Sequence, residues 1–174
     1  MTNSSADPVR PSTLAQLTAL IGTVLGPTGW HEVTQQRIDA FADATGDHQW
    51  IHVDPERAAD GPFGTTIAHG NYSLSLGPFF TGQLIAFDGF AHALNYGYNK
   101  VRFSAPLPVG SRIRMRATIT AVHEIAGGAQ VLNTLTFERE GAAKPVLVVE
   151  AVGFLAECKD KPGREVADTL GSER

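Results

Sequence analysis

Phe41-Ala42-Asp43-Ala44-Thr45-Gly46-Asp47-His48-Gln49-Trp50-Ile51-His52 is the stretch that decides how this 174-residue chain is read. Just upstream, Thr34 is a good N-cap, and Ile38, Phe41 and Ala42 follow at i, i+3, i+4 spacing, so a helix is expected to run into the stretch. Gly46 stands where a left-handed residue closes such a helix, which predicts a stop directly before Asp47. From Asp47 to Val53 there is no clean period. Asp54-Pro55 then has the form of an N-cap followed by proline at the first helical position. Asp47 and His52 are therefore expected on a loop between two helices, five residues apart and able to converge.

Working outward, Ser12 can cap a first helix with Leu14, Leu17, Leu20, Ile21 and Leu25 on one face, stopped by Gly26-Pro27, and Trp30–Val33 reads as a short extended piece. Downstream, after the loop Gly61-Pro62-Phe63-Gly64, the apolar segment Asn71–Phe87 is long enough for a central helix, and Gly77-Pro78 inside it predicts a kink. The period then changes. Arg112, Arg114 and Arg116 alternate with Ile113, Met115 and Ala117, and strand-like runs follow at Val131–Arg139 and Val146–Leu155, with Gly127-Gly128 and Gly141 as turn residues. A helical half followed by an antiparallel meander is an α+β plan, in which one long apolar helix is wrapped by a curved sheet. Residues 1–11 read as a flexible leader, 12–158 as a single domain and 159–174 as a flexible polar tail.

Composition narrows the function classes. Charged residues are 18% and hydrophobic residues 43% of the chain, a globular balance that argues against disorder. A net charge of −4 lacks the basic field that nucleic acid or an anionic membrane would need, so neither is expected as a partner. Cys158 is the only cysteine, which rules out an intrachain disulfide and fits a reducing compartment; cytoplasm is expected. No run approaches the ~18 apolar residues of a membrane helix.

The stretch also resembles the signature of the MaoC-like dehydratases and R-specific enoyl-CoA hydratases: an aromatic residue, Gly-Asp, an aliphatic residue, His and a small residue further on, here Phe41, Gly46-Asp47, Ile51, His52 and Ala58. Gln49-Trp50 stands where the commonest pattern has Asn-Pro, and the His-Gln-Trp-Ile-His version is similar to a subgroup that includes nodulation protein N. A second block, Gly61 to Gly70 ending in Ile67-Ala68-His69-Gly70, resembles the family's His-Gly opening of the central helix, and Phe103–Gly110 its later strand-and-turn region. The resemblance covers about residues 30–156. It implies a hot-dog fold and a homodimer, and a hydro-lyase that reversibly hydrates a trans-2-enoyl-CoA to the (R)-3-hydroxyacyl-CoA. It implies Asp47 and His52 as catalytic dyad and coenzyme A as part of the substrate, with no separate cofactor and no metal. The alternatives are a dehydratase of carrier-protein-bound 3-hydroxyacyl chains, a hot-dog thioesterase, which would lack this Gly-Asp…Ile-His loop, and a non-catalytic acyl-thioester binder.

The chemistry asks for these residue types. Hydration needs a base for the water that attacks the β-carbon and a proton donor for the α-carbon, and a carboxylate with an imidazole can hold one water between them. One division gives Asp47 the water and its proton and His52 the α-proton, and the sequence does not fix which of the two is acid and which is base. The thioester oxygen needs an N–H donor, for which the backbone of Gly70 at a helix start is the candidate. His48 and His52 have the spacing of a zinc-protease helix, but Gln49 replaces the general-base Glu and Gly46 stops the helix first, so no metal site is expected. Arg112, Arg114 and Arg116, with Lys100 and Arg102, could meet phosphates, but a solvated strand face paired with acidic neighbours is the plainer reading, and all five are left out of the site.

Overall fold

The computed structural model describes residues 7–158. The expected tail and residues 1–6 of the expected leader lie outside them. The remainder of that leader is tied down: Val9 bridges Ile85 and exchanges backbone hydrogen bonds with Leu84 and Ala86, and Arg10 pairs with Asp88 at 2.7 Å.

Helix α1 (Leu14–Thr18) is capped by Thr13, not Ser12, and is far shorter than its apolar spacing predicts. Its expected continuation pairs with the sheet instead. Strand β1 (Val24–Leu25) lies against Thr118 and Ala117, and β2 (His31–Glu32) against Ile113 and Arg112, both antiparallel to one long strand further along the chain. Leu25 thereby reaches the core as a strand residue, tertiary pairing overriding local helical spacing.

Thr34 caps α2 (Gln35–Thr45) through the Arg37 N–H, and Gly46 closes it at φ 75°, the left-handed geometry its position predicts. A one-turn helix, α3 (Trp50–Val53), follows where a loop is expected, so His52 is carried on helix and not on irregular chain. Asp54 caps α4 (Pro55–Ala59) by accepting from the Arg57 N–H at 3.0 Å. The central helix is two pieces, α5 (Gly70–Ser75) and α6 (Gly77–Leu84). The break falls at the predicted Gly77-Pro78, because Pro78 has no N–H to continue the ladder. The helix ends at Leu84, short of Phe87, since Ile85 turns extended (φ −148°, ψ 136°) to bridge Val9.

The sheet is completed by β3 (Phe90–Phe103), β4 (Arg112–Ile125), β5 (Gly128–Arg139) and β6 (Leu147–Glu157), all neighbours antiparallel in the order β1-β4-β5-β6-β3, with β2 also on β4. Gly127, at φ 80°, makes the β4–β5 turn. β3 is not anticipated from the sequence. Register shifts along β3 at Phe90/His92, Asn95/Gly97 and Tyr98/Lys100, and in β4 at Ile119/Ala121, bend the strands.

Alternation sorts the faces. Ile113, Met115 and Ile119 of β4, Val131, Leu135 and Phe137 of β5, and Leu147 and Val149 of β6 are buried, and they meet Tyr72, Phe80 and Leu84 of α5 and α6 in one core. Phe80 meets Phe137 edge-on at 6.1 Å between ring centroids. On the opposite face Arg112 pairs with Glu140, and Arg114 and Arg116 share Glu138 at 2.7 and 3.0 Å, while the Arg114 guanidinium lies 4.4 Å from the Trp30 ring centroid. Partial burial pushes the Glu138 carboxyl up, but the two guanidiniums outweigh it and hold the group below its ordinary range. These arginines are paired within the protomer. Among the described residues β3, in contrast, pairs only with β6, and Leu94, Tyr96, Tyr98 and Phe103 on it are exposed.

Candidate active site

Three short segments build the site: the end of α2, the one-turn α3 and the chain that enters α5. His52 is buried, and its Nδ1 lies 2.7 Å from the Ile67 carbonyl oxygen. A carbonyl only accepts, so Nδ1 carries the proton and Nε2 the lone pair. The Ile67 N–H in turn donates to the Ile51 carbonyl at 3.0 Å, which zips α3 to residues 66–68. Gln35 fastens the same two segments from behind. Its amide donates to the His52 carbonyl (2.7 Å) and to Asp39 (2.8 Å), and its carbonyl accepts from the buried Thr66 hydroxyl. Trp50, at the family's proline position, packs on Gly61 so closely that a Cβ there would sit 3.0 Å from the ring, and the Arg57 guanidinium covers it at 4.4 Å. The substitution leaves this turn tightly packed.

Asp47 follows the left-handed Gly46 and is about half exposed at the mouth of the site. One of its carboxylate oxygens and one ring nitrogen each of His52 and His69 lie within 4.8 Å of one another. A water with two hydrogen bonds of about 2.8 Å spans up to about 5.5 Å, so Asp47 and His52 are close enough to hold a single water. Gly70 begins α5. Its N-cap, His69, makes no side-chain cap, which leaves the first amides of the helix without the usual side-chain partner. Gly70 and His52 both line a cavity of about 420 Å³ with Phe63, Phe103 and Leu147. A Cβ at Gly70 would stand 3.0 Å from the Phe103 ring, so only glycine lets that ring close over the helix start.

The histidines of the stretch differ in charge tendency. Burial holds His52 below its ordinary value of 6.5, with the Ile67 carbonyl pulling the other way. His48 points out to a 2.9 Å contact with Asp43, which raises it. It does not join His52.

His69 is the residue that sequence reading does not place in the site. Its Nε2–H donates to the Asp47 backbone carbonyl at 2.9 Å, its ring stacks on His52 with centroids 3.8 Å apart and planes at 26°, and Phe41 backs it at 5.1 Å. The only sequence signal is its place in the His-Gly pair, because the contact joins residues 22 apart that no period connects. Asp47, His52 and His69 bring one donor atom each within 4.8 Å of the others, yet imidazole lone pairs lie in the ring planes, and two nearly parallel stacked rings do not aim them at one ion. Turning either ring would break its bond to Ile67 or Asp47.

Among known proteins, residues 16–140 match the model of the MaoC like domain. The chain is 51% identical over 140 residues to the 3-hydroxyacyl-thioester dehydratase Z of Mycobacterium tuberculosis, covering 80% of this chain and 93% of that protein. It is 40% identical over 159 residues to nodulation protein N of Rhizobium leguminosarum, covering 86% and 95%. The unliganded R-hydratase of Pseudomonas aeruginosa superposes with a TM-score of 0.65 over 79% of this chain and 82% of that one, at 20% identity, which speaks for a shared hot-dog fold.

Proposed function

Because the chain belongs to the MaoC-like dehydratase family, we propose that it interconverts a trans-2-enoyl-CoA and the (R)-3-hydroxyacyl-CoA by adding or removing water at Asp47 and His52. The observation that carries this reading is that the Asp47 carboxylate lies within 4.8 Å of a His52 ring nitrogen, while His52 lines a cavity together with Gly70. Asp47 holds the water through one O–H. His52, with its lone pair on Nε2, takes the other proton as the oxygen bonds to the β-carbon, and returns a proton to the α-carbon as the enolate collapses. The His52 tautomer supports this over a division in which Asp47 is the base, because an imidazole that starts neutral has to gain a proton before it can give one. The Gly70 N–H is assigned to the thioester oxygen, where negative charge develops. No step requires a metal or a redox cofactor.

A second cavity of about 330 Å³ lies between α6 and the inner face of the sheet, lined mostly by apolar groups such as Leu135, Ile119 and Pro78, and has the chemistry to take an acyl tail. Among the described residues the outer edge of the long strand β3 is unpaired, which supports a homodimer, since such an edge is rarely left open. Among the described residues no helix is long and apolar enough to cross a membrane, and the free thiol of Cys158 supports a reducing, cytoplasmic setting.

The deciding measurement is the loss of enoyl absorbance on crotonyl-CoA, run beside longer enoyl-CoAs and a carrier-protein-bound chain. Turnover of the CoA esters with R product supports the proposal. Turnover of the carrier-bound chain alone would make the protein a carrier-dependent 3-hydroxyacyl dehydratase, and no turnover of any would favour a non-catalytic thioester binder. Light scattering at micromolar concentration reads the dimer, and unchanged rates after chelator treatment read metal independence.

A further inference from the structure

Three features of His69 bear on the dyad, and none follows from stability. First, the side chain is 4% exposed, yet its Nδ1 has no hydrogen-bond partner among the described residues. A buried acceptor left unmade opposes folding, so packing alone gives no reason for an imidazole at this position. Second, the one bond the ring does make goes to the backbone of Asp47. The neighbours of Asp47 are tied by Gly46 N–H to Ala42 at 2.8 Å, His48 to Asp43 at 2.9 Å and His52 N–H to Gln49 at 2.9 Å, but the Asp47 side chain itself is more than half exposed and takes only a long 3.4 Å contact from the Gln49 N–H. Third, the ring stacks face to face on His52 of α3, with planes at 26°, while Phe41 of α2 meets it at a tilt of 50° and backs it. Nδ1–H of His52 is fixed by Ile67, but one hydrogen bond leaves the imidazole free to rock about that axis, and the stack removes this freedom.

We propose that His69 is a positioning residue that couples the two members of the dyad, holding the Asp47 backbone by its Nε2–H and the plane of the His52 ring by its face. Its contacts are to the Asp47 backbone and the His52 ring, so its influence passes through those two residues. The inference rests on the function proposed above. The bond requires the Nε2–H tautomer of His69, which leaves the lone pair on the unpartnered Nδ1, and His52 carries the opposite tautomer, with its proton on Nδ1. Two stacked imidazoles of opposite tautomer thus present one N–H to a backbone carbonyl on each side of the stack.

The test uses the whole protein and two variants. His69→Phe keeps the ring and the stack, deletes the donor to Asp47 and removes the orphan nitrogen. His69→Gln keeps a donor and deletes the ring. Misplacing a reacting group by about 1 Å costs on the order of 10²-fold, so His69→Phe should lower kcat by roughly 10- to 100-fold, with KM within about twofold and the protein fully folded at the assay temperature. His69→Gln should recover part of that kcat. In ring ¹⁵N spectra, His52 should show a protonated Nδ1 in the wild type and in His69→Phe, and a mixture of tautomers in His69→Gln. Retention of more than half of wild-type kcat by His69→Phe overturns the proposal, as does a kcat loss matched by a falling Tm, which would mark a structural role only. If the wild type hydrates no enoyl thioester while the tautomer pattern behaves as described, the proposed function fails and the positioning role stands. An active wild type with an indifferent His69→Phe leaves the function standing and sinks the positioning role.

Discussion

The meander β4–β6 and the segment from Gln35 to Gly70 are held together in opposite ways. In the meander, runs of antiparallel pairs and an alternating buried face repeat the same interaction many times, so no single residue decides the arrangement. In the segment, single directional contacts do the holding: Gln35 to His52, Ile67 to His52, His69 to Asp47 and Thr66 to Gln35. The difference teaches where each property resides. Stability is spread over the sheet and the helices packed on it, whereas the proposed chemistry depends on a few bonds that contribute little to stability. Substitutions should therefore separate the two.

The sharpest separation is expected from the dyad. Asp47→Asn and His52→Gln should each lower hydration about 10²–10⁴-fold, the usual range for a proton-transfer group. The half-exposed Asp47 should change Tm by little. The double variant should be scarcely slower than the worse single one, because groups that share one water act as a unit. A folded single variant with more than half of wild-type kcat/KM would break the comparison and the function together. The mirror experiment is Phe137→Ala, fully buried against Phe80, which should cost about 3–5 kcal/mol in chemical denaturation. The folded fraction should keep near-normal kcat, and a selective loss of kcat would show that the sheet reaches the site after all. Between these lies Gly70→Pro, which removes the proposed donor to the thioester oxygen and should lower kcat about 10²–10³-fold. Circular dichroism must show the fold retained, and normal turnover in such a variant would move the oxyanion site elsewhere.

The pH dependence joins both regions more gently. His31 and His52 are each held below the ordinary histidine value of 6.5, in both cases by burial first. Below pH 6.5 the unfolded chain binds protons that the native chain resists, so their contribution to stability is present above 6.5 and is lost as pH falls through the folded values. The acid limb of kcat/KM should likewise begin below 6.5. A limb centred above 6.5 would show that His52 is not held neutral and would remove the support for its role as base. The smallest effect belongs to the outer face of the sheet: Glu138→Gln, which unpairs Arg114 and Arg116, should cost no more than about 1 kcal/mol and leave kcat unchanged.

What is legible in the sequence follows the same division. Local rules read the caps at Thr34, Gly46 and Asp54, the break at Gly77-Pro78 and the alternating strands from Arg112 onward. Asp47 stands near His52, and His52 shares a cavity with Gly70, although nothing in the period of the motif predicts the turn of helix that α3 makes. β3 escapes because alternation reports a strand with one buried face, and along Phe90–Phe103 most side chains are exposed, with the register shifting three times. Leu25 misleads because a helical spacing of leucines says nothing about a sheet edge waiting at Ala117. His69 is legible only as half of the His-Gly pair: its partners are set by how α2, α3 and α5 dock, and docking has no signature in a period.

The helix that carries His52 is four residues long. An isolated helix needs about 12–15 residues to be even marginally stable, so α3 has no intrinsic tendency to persist and owes its shape to Gln35, Ile67 and Trp50. In hydrogen-exchange terms, the His52 amide, bonded to the Gln49 carbonyl at 2.9 Å, can be released by a local opening that leaves the sheet intact, while amides in the middle of β4 and β5 wait for global unfolding. The residue proposed to move the proton thus belongs to a low-stability unit of the native ensemble, and a ligand that packs on it from the cavity would slow its exchange without changing that of the strands.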